Sequence, residues 1–168
     1  MFVALWALVG AVAPLASAIF KLTPRAVEAL DSPDLGFEHI AFVTGWTLWM
    51  LYAEGYRGFQ GSFAPRVGAR AIHLGMNKQR PLWHAILAPA FAIGLFGARR
   101  RTMVVAWSVI VLVIIAVLIV SQLPQPWRGL IDLGVVAGLA YGAIAVVWFA
   151  IHAYRQPDAM RRWLALPD

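Results

Sequence analysis

The stretch MVVAWSVIVLVIIAVLIV, residues 103–120, carries no charge, and its only hydroxyl is that of Ser108. At a rise of 1.5 Å per residue, about 18 to 20 apolar residues cross the roughly 30 Å hydrocarbon layer of a bilayer. This stretch therefore predicts a transmembrane helix. The other residues are therefore interpreted on the expectation that lipid, and not water, surrounds much of the chain.

The composition of the whole chain agrees with that prediction. Of its 168 residues, 61% are hydrophobic and only 13% are charged, which is about half the charged share of a soluble domain. Cysteine is absent, which excludes disulfides, thiolate metal sites and thiol catalysis. The net charge of +6 lies in short basic groups that end the apolar runs, where lipid headgroups account for it. No nucleic-acid-binding module is present, so we expect no nucleic-acid partner.

Charge-free windows divide the chain into candidate spans. They predict an all-α fold: a polytopic helical membrane protein with about five transmembrane helices in one bundle. The whole chain, residues 1–168, is then a single integral membrane domain. The predicted spans are 2–20, 36–56, 81–98, 102–122 and 130–154, with a basic loop at 57–80.

Helix punctuation adds local expectations. Asp34 is the expected cap of the second span, Pro81 the first-turn proline of the third, and Pro89 a kink within the third. The basic segment is either an ordinary loop or a short surface helix from Pro65 onward, with Arg66 and Arg70 on its wet side.

The distribution of Lys and Arg bears on orientation. With the N-terminus outside, five spans place eight basic residues on the cytoplasmic side and six on the outer side. The basic residues of the long loop favour the opposite orientation. We take the N-terminus to be outside, and we expect the bilayer to be a bacterial inner membrane.

Three glycines in the last span recur every four residues, at Gly134, Gly138 and Gly142. Glycines at this spacing form a shallow groove along which another helix approaches closely, and such packing holds helices together in lipid. The groove predicts a helix-packing site. A helix of the same chain is the favoured partner, and another membrane subunit or a second copy is the alternative.

Two histidines are candidate cofactor ligands. In a five-span topology His39, at the start of the second span, and His152, at the end of the fifth, lie near the same membrane face, whereas His73 and His84 lie near the other. A histidine from each of two helices is what axial ligation of a b-type haem needs. The alternative is that each imidazole hydrogen-bonds a backbone carbonyl or a headgroup.

Glu54 and Asp132 are the acids expected at the membrane boundary. An intramembrane acid is a candidate for proton or ion movement. The favoured alternative is a structural ion pair with Arg57, three residues after Glu54, and with Arg128, four residues before Asp132.

No sequence motif indicates a particular reaction. The chain lacks H-E-x-x-H, E-x-x-H, G-x-S-x-G and a Gly-rich phosphate loop, so we predict no catalytic residue and no metal site. The leading hypothesis is a non-catalytic accessory or assembly subunit that packs on a larger membrane complex. The alternative is a haem-binding electron-transfer subunit with His39 and His152 as ligands. The third is a small proton or ion transporter acting as an oligomer.

Overall fold

The computed structural model of the chain describes residues 1–33, 35–77, 82–164 and 166. All regular structure in these residues is helical. The elements in chain order are α1 (Phe2–Leu30), α2 (Phe37–Met50), a π-helical segment (Leu51–Phe63), α3 (Ala64–Met76), α4 (Leu82–Ile86), α5 (Ala88–Ile93), α6 (Arg100–Val120), α7 (Trp127–Arg155) and a 3₁₀ turn (Arg161–Trp163).

Three helices, α1, α6 and α7, are long and apolar enough to cross a membrane. They correspond to the first, fourth and fifth predicted spans. The expectation of an all-helical chain is therefore confirmed, and three of the five predicted spans are helices that could cross a membrane. The second and third predicted spans are built differently from the expectation, and the predicted caps at Asp34 and Pro81 lie outside the described residues.

The second predicted span continues without a break into the segment expected to be a loop. The junction residues Leu51 and Ala64 both have α-helical dihedrals, so α2, the π segment and α3 form one helix over residues 37–76, called the long helix below. The expectation of a loop at 57–80 is wrong as far as residue 76, and residues 78–80 lie outside the described part. The alternative of a helix from Pro65 onward is right about the helix, but wrong in placing Arg70 on a wet side. Polarity misled the prediction, because α3 is mostly buried and its Arg70 is fully buried.

The third predicted span is broken into two short helices. Helix α4 has five residues and α5 has six, too few to cross a bilayer. Pro89 lies in the first turn of α5 and so begins a helix instead of kinking one. Gly94 ends α5 in the left-handed conformation, with φ of 89°, which only glycine adopts without strain.

Side-by-side contacts give the direction of each helix. Gly129 of α7 packs against Ala29, late in α1, and Gly75, at the end of the long helix, packs against Ala4, early in α1. Along the other seam, Gly134 lies beside Trp46, and Gly68 lies beside Phe149. Helix α1 is thus antiparallel to both of the others, and the long helix runs parallel to α7.

Small residues let these three helices approach closely. The buried positions of α1 are all alanines, and those of α7 include its three spaced glycines. A Cβ atom on Gly68 would lie 2.8 Å from the carbonyl carbon of Phe149, so the two backbones are in contact there. Helices pack in this way in lipid, because a large apolar side chain gains no free energy when it exchanges lipid contacts for protein contacts.

Candidate functional site

Among the described residues, the seam where α7 packs along the long helix brings a buried carboxylate oxygen against a glycine. The three glycines of α7 face side chains of the long helix: Gly134 meets the indole of Trp46, Gly138 meets Glu54, and Gly142 meets the ring of Phe59. A Cβ atom on Gly138 would lie 2.8 Å from Glu54 Oε2 and 3.4 Å from the Met50 carbonyl oxygen. The groove therefore receives side chains, including a carboxylate, from a helix of the same chain.

One carboxylate oxygen of Glu54 is unpaired within the part of the chain that the structure describes. Its Oε2 atom is buried and has no hydrogen-bond partner among the described residues, and the same is true of Asp132 Oδ2 and Thr47 Oγ1. A buried polar atom that remains unpaired costs free energy, so each one calls for a water, an ion, a proton or a functional reason.

The ion pairs expected from the sequence do not form within the described part of the chain. The Arg57 side chain is exposed and makes no ion pair with Glu54, and Arg128 donates to the Ser121 carbonyl oxygen at 3.3 Å. The physical reason at Glu54 is the π segment. Its hydrogen bonds span five residues instead of four, so a turn holds more residues and side chains three apart no longer face each other.

The π segment follows from the way the long helix is held. Contacts run from His39 beside Trp127 to Gly68 beside Phe149, so the long helix must fit more residues than α7 into a similar length. A helix with more residues per turn does this. The sequence carries no local signal for it, since the requirement comes from the tertiary contacts.

A hydrogen bond between Tyr141 and Gln60 lies close to Glu54 in the same seam. The ring of Tyr141 covers Gly55, where an added Cβ atom would lie 3.0 Å from the ring, and the Tyr141 hydroxyl donates a hydrogen bond to Gln60 Oε1. Sequence reasoning missed both residues. The signal that finds them is a tyrosine in the middle of an otherwise apolar span, because a buried hydroxyl needs a partner.

The structure does not bring His39 and His152 together. His39 Nδ1 accepts a hydrogen bond from the Gly36 amide at 3.1 Å, and its ring packs 4.6 Å from Trp127, at the start of α7. His152 lies near the other end of α7. The five-span expectation counted the third window as a crossing, whereas α4 and α5 have only five and six residues, and α7 runs parallel to the long helix. The pairing needed for haem ligation therefore has no geometric support.

Arg70 is a further residue that sequence reasoning placed wrongly. Its guanidinium donates to four backbone carbonyl oxygens: those of Phe91 at 2.8 Å, Leu164 at 2.8 Å, Phe96 at 3.0 Å and Gly97 at 3.0 Å. It also lies 4.0 Å from the centre of the Phe91 ring. The irregular backbone after α5 needs donors that lipid does not supply, and a buried arginine provides them. Arg70 thus fastens α5 and the C-terminal segment to α3.

The described residues contain no cluster of three or more His, Asp or Glu side chains placed to hold a metal ion. Comparison with known proteins adds no assignment, since no family model, no curated protein and no solved structure matches the chain.

Proposed function

We propose that the chain crosses the membrane four times, with α1, the long helix, α6 and α7. Helices α4 and α5 then enter and return on one side. The directions of the helices support this arrangement, because α1 is antiparallel to both the long helix and α7, which run parallel to each other. Helix α5 packs among the ends of α1 and α3. Both termini then lie on the same side.

Four crossings change the orientation that the basic residues favour. Among the described residues outside the long helix, the end of the bundle that holds both termini carries six arginines, and the other end carries three basic residues. These are Arg99, Arg100, Arg101, Arg155, Arg161 and Arg162 at the first end and Lys21, Arg25 and Arg128 at the second. The excess favours cytoplasmic termini, opposite to the orientation taken from five spans. The bacterial inner membrane stays a prediction.

The proposed function is uptake and release of a proton or another small cation at Glu54, without catalysis. One observation carries it: Glu54 packs on Gly138, six residues inside the charge-free stretch of α7 that begins after Asp132. Six residues correspond to about 9 Å of helix, well within the hydrocarbon layer. An ionisable group at that depth is costly and is a functional candidate by default.

Two features support a functional role over a structural one. A structural ion pair would satisfy Glu54, but Arg57 is exposed and unpaired with it. The π-helical backbone that carries Glu54 is rare in proteins, and single π-helical turns are frequently found at functional sites. A carboxyl group with one free oxygen can exchange a proton or bind a cation without rearranging a network.

The test is ion flux in proteoliposomes under an imposed potential, comparing wild type with Glu54→Gln, which keeps the shape and removes the titrating group. We expect Glu54→Gln to fall to the rate of protein-free liposomes, while Glu28→Gln, an exposed acid on α1, keeps the wild-type rate. A wild-type rate equal to that of empty liposomes contradicts the proposal. Equal rates for wild type and Glu54→Gln contradict it as well.

A second function, an accessory or assembly subunit, has one observation in its favour. No residue of α6 is buried, so this apolar helix makes no core inside its own chain. A photocrosslinking residue in place of Leu112 in native membranes is expected to give one discrete adduct, and the same residue in place of Phe20 of α1 none. Two differently tagged copies distinguish self-association from another subunit. If Leu112 gives no adduct, α6 is covered by lipid alone and this function fails.

A further inference from the structure

A cleft opens on the outer side of the seam between the π segment and α7. The cleft is open to one side and has a volume of about 390 Å³, which is within the range of small-molecule sites. Its lining residues on α7 follow one helical stripe, with Gln60 of the π segment opposite. They are Gln60, Tyr141, Ile144, Ala145, Trp148 and Phe149.

The wall of the cleft faces the surroundings and is apolar. Ile144 is 72% exposed and Trp148 is 68% exposed, although both lie in the charge-free part of a candidate membrane span. The cleft therefore opens sideways into hydrocarbon. Whatever enters it arrives dissolved in the bilayer.

The inner end of the cleft is polar. Tyr141 is the central residue of α7, and its hydroxyl donates to Gln60 Oε1. The Gln60 amide nitrogen, a donor of two hydrogens, makes no hydrogen bond within the described residues, and it is not fully enclosed by protein. Lipid offers no acceptor at this depth, and an unpaired amide there costs free energy.

We infer that this cleft binds a lipid-soluble molecule whose flat ring carries a carbonyl group, with an apolar tail. The carbonyl accepts a hydrogen bond from the Gln60 amide, the ring packs on the indole of Trp148, and the tail lies along Ile144 in the lipid. A phospholipid acyl chain fits the apolar wall equally well but leaves Gln60 unpaired. The site is separate from proton or cation exchange at Glu54 and stands without it.

The experiment measures binding of decylubiquinone to the purified protein in mild detergent, by quenching of tryptophan fluorescence and by the shift in unfolding temperature. Decylbenzene, which has the tail and ring but no carbonyl, is the control probe. We expect saturable binding of the quinone, and binding of decylbenzene weaker by about tenfold, the value of one buried hydrogen bond. Equal binding of the two probes overturns the inference in favour of acyl-chain occupancy, and so does an absence of saturable quinone binding.

Variants locate the site. Gln60→Leu is expected to weaken quinone binding by about tenfold, while Gln122→Leu, an exposed glutamine outside the cleft, leaves it unchanged. Because Gln60→Leu also leaves the Tyr141 hydroxyl unpaired, Ile144→Trp is the second variant. It fills the cleft from the lipid side without entering the core and is expected to abolish binding. Wild-type binding by Ile144→Trp overturns the inference even if Gln60→Leu does not fold.

Discussion

Helix α6 and helix α3 reverse the usual relation between hydrophobicity and burial. Helix α6 contains the most apolar stretch of the chain, and none of its residues is buried. Helix α3 carries Arg66, Arg70 and His73, yet it contributes buried residues throughout its length, including a fully buried arginine. The segment that hydropathy marks most strongly lies outside the core, and the segment that looks like a loop is part of it.

The difference teaches what apolar residues mean when lipid is the solvent. Large apolar side chains gain nothing by leaving hydrocarbon, so they contact lipid as readily as protein. Small residues and well-paired polar groups form the contacts between helices. In α3 these are Gly68, packed on the α7 backbone, and Arg70, bound to four carbonyl groups.

The largest expected effect in this comparison comes from Arg70→Leu. The substitution leaves four carbonyl oxygens without their donor, and hydrogen bonds to a charged group contribute about 1.5 to 3 kcal/mol each, so we expect a loss of about 3 kcal/mol or more. Unfolding temperature and the yield of monodisperse protein in detergent measure it. Arg101→Leu, in the exposed first turn of α6, is the matched control and should stay within about 0.5 kcal/mol. Similar stability of the two variants contradicts the role of Arg70.

An intermediate effect is expected from Gly68→Ala. Its new methyl group would lie 2.8 Å from the carbonyl carbon of Phe149, so α3 has to move away from α7, at a cost of about 1 to 3 kcal/mol. Gly45→Ala is the control, because a Cβ atom there has nothing within 4 Å. Alanine favours the helix by up to about 1 kcal/mol, so the control should be neutral or more stable. If both variants behave alike, the close approach at Gly68 is not a stabilising contact.

Hydropathy was sufficient for α1, α6 and α7, because a long charge-free run in lipid has one stable form. It failed for α3, because the partners of Arg70 lie in α5, in the turn after it and in the C-terminal segment, all distant in sequence. It failed for α4 and α5 as well. Pro89 and Gly94 divide an apolar window whose composition alone suggests a crossing.

The candidate site was predictable in part. Glu54 stands out in the sequence as an acid next to a short apolar window. Its packing on Gly138 and its Oε2 atom, unpaired within the described residues, depend on the π segment. The residues per turn of that segment are set by contacts at both ends of the long helix. The histidine pair followed from counting five crossings. The third of these windows holds only the short helices α4 and α5, and His152 lies at the opposite end of α7 from Trp127, on which His39 packs.

The smallest expected effect tests α6 itself. Leu112 is 65% exposed on α6, whereas Leu130 of α7 is fully buried. Leu130→Ala leaves a cavity between packed helices and should lower stability by about 2 kcal/mol. Leu112→Ala exchanges one lipid contact for another and should change the unfolding free energy in detergent by less than about 0.5 kcal/mol. The two variants are compared in the purified monomer and again in native membranes. A loss at Leu112 that appears only in native membranes identifies α6 as the surface covered by another subunit, whereas an equal loss in the monomer means that α6 packs on its own bundle and that the contrast with α3 is wrong.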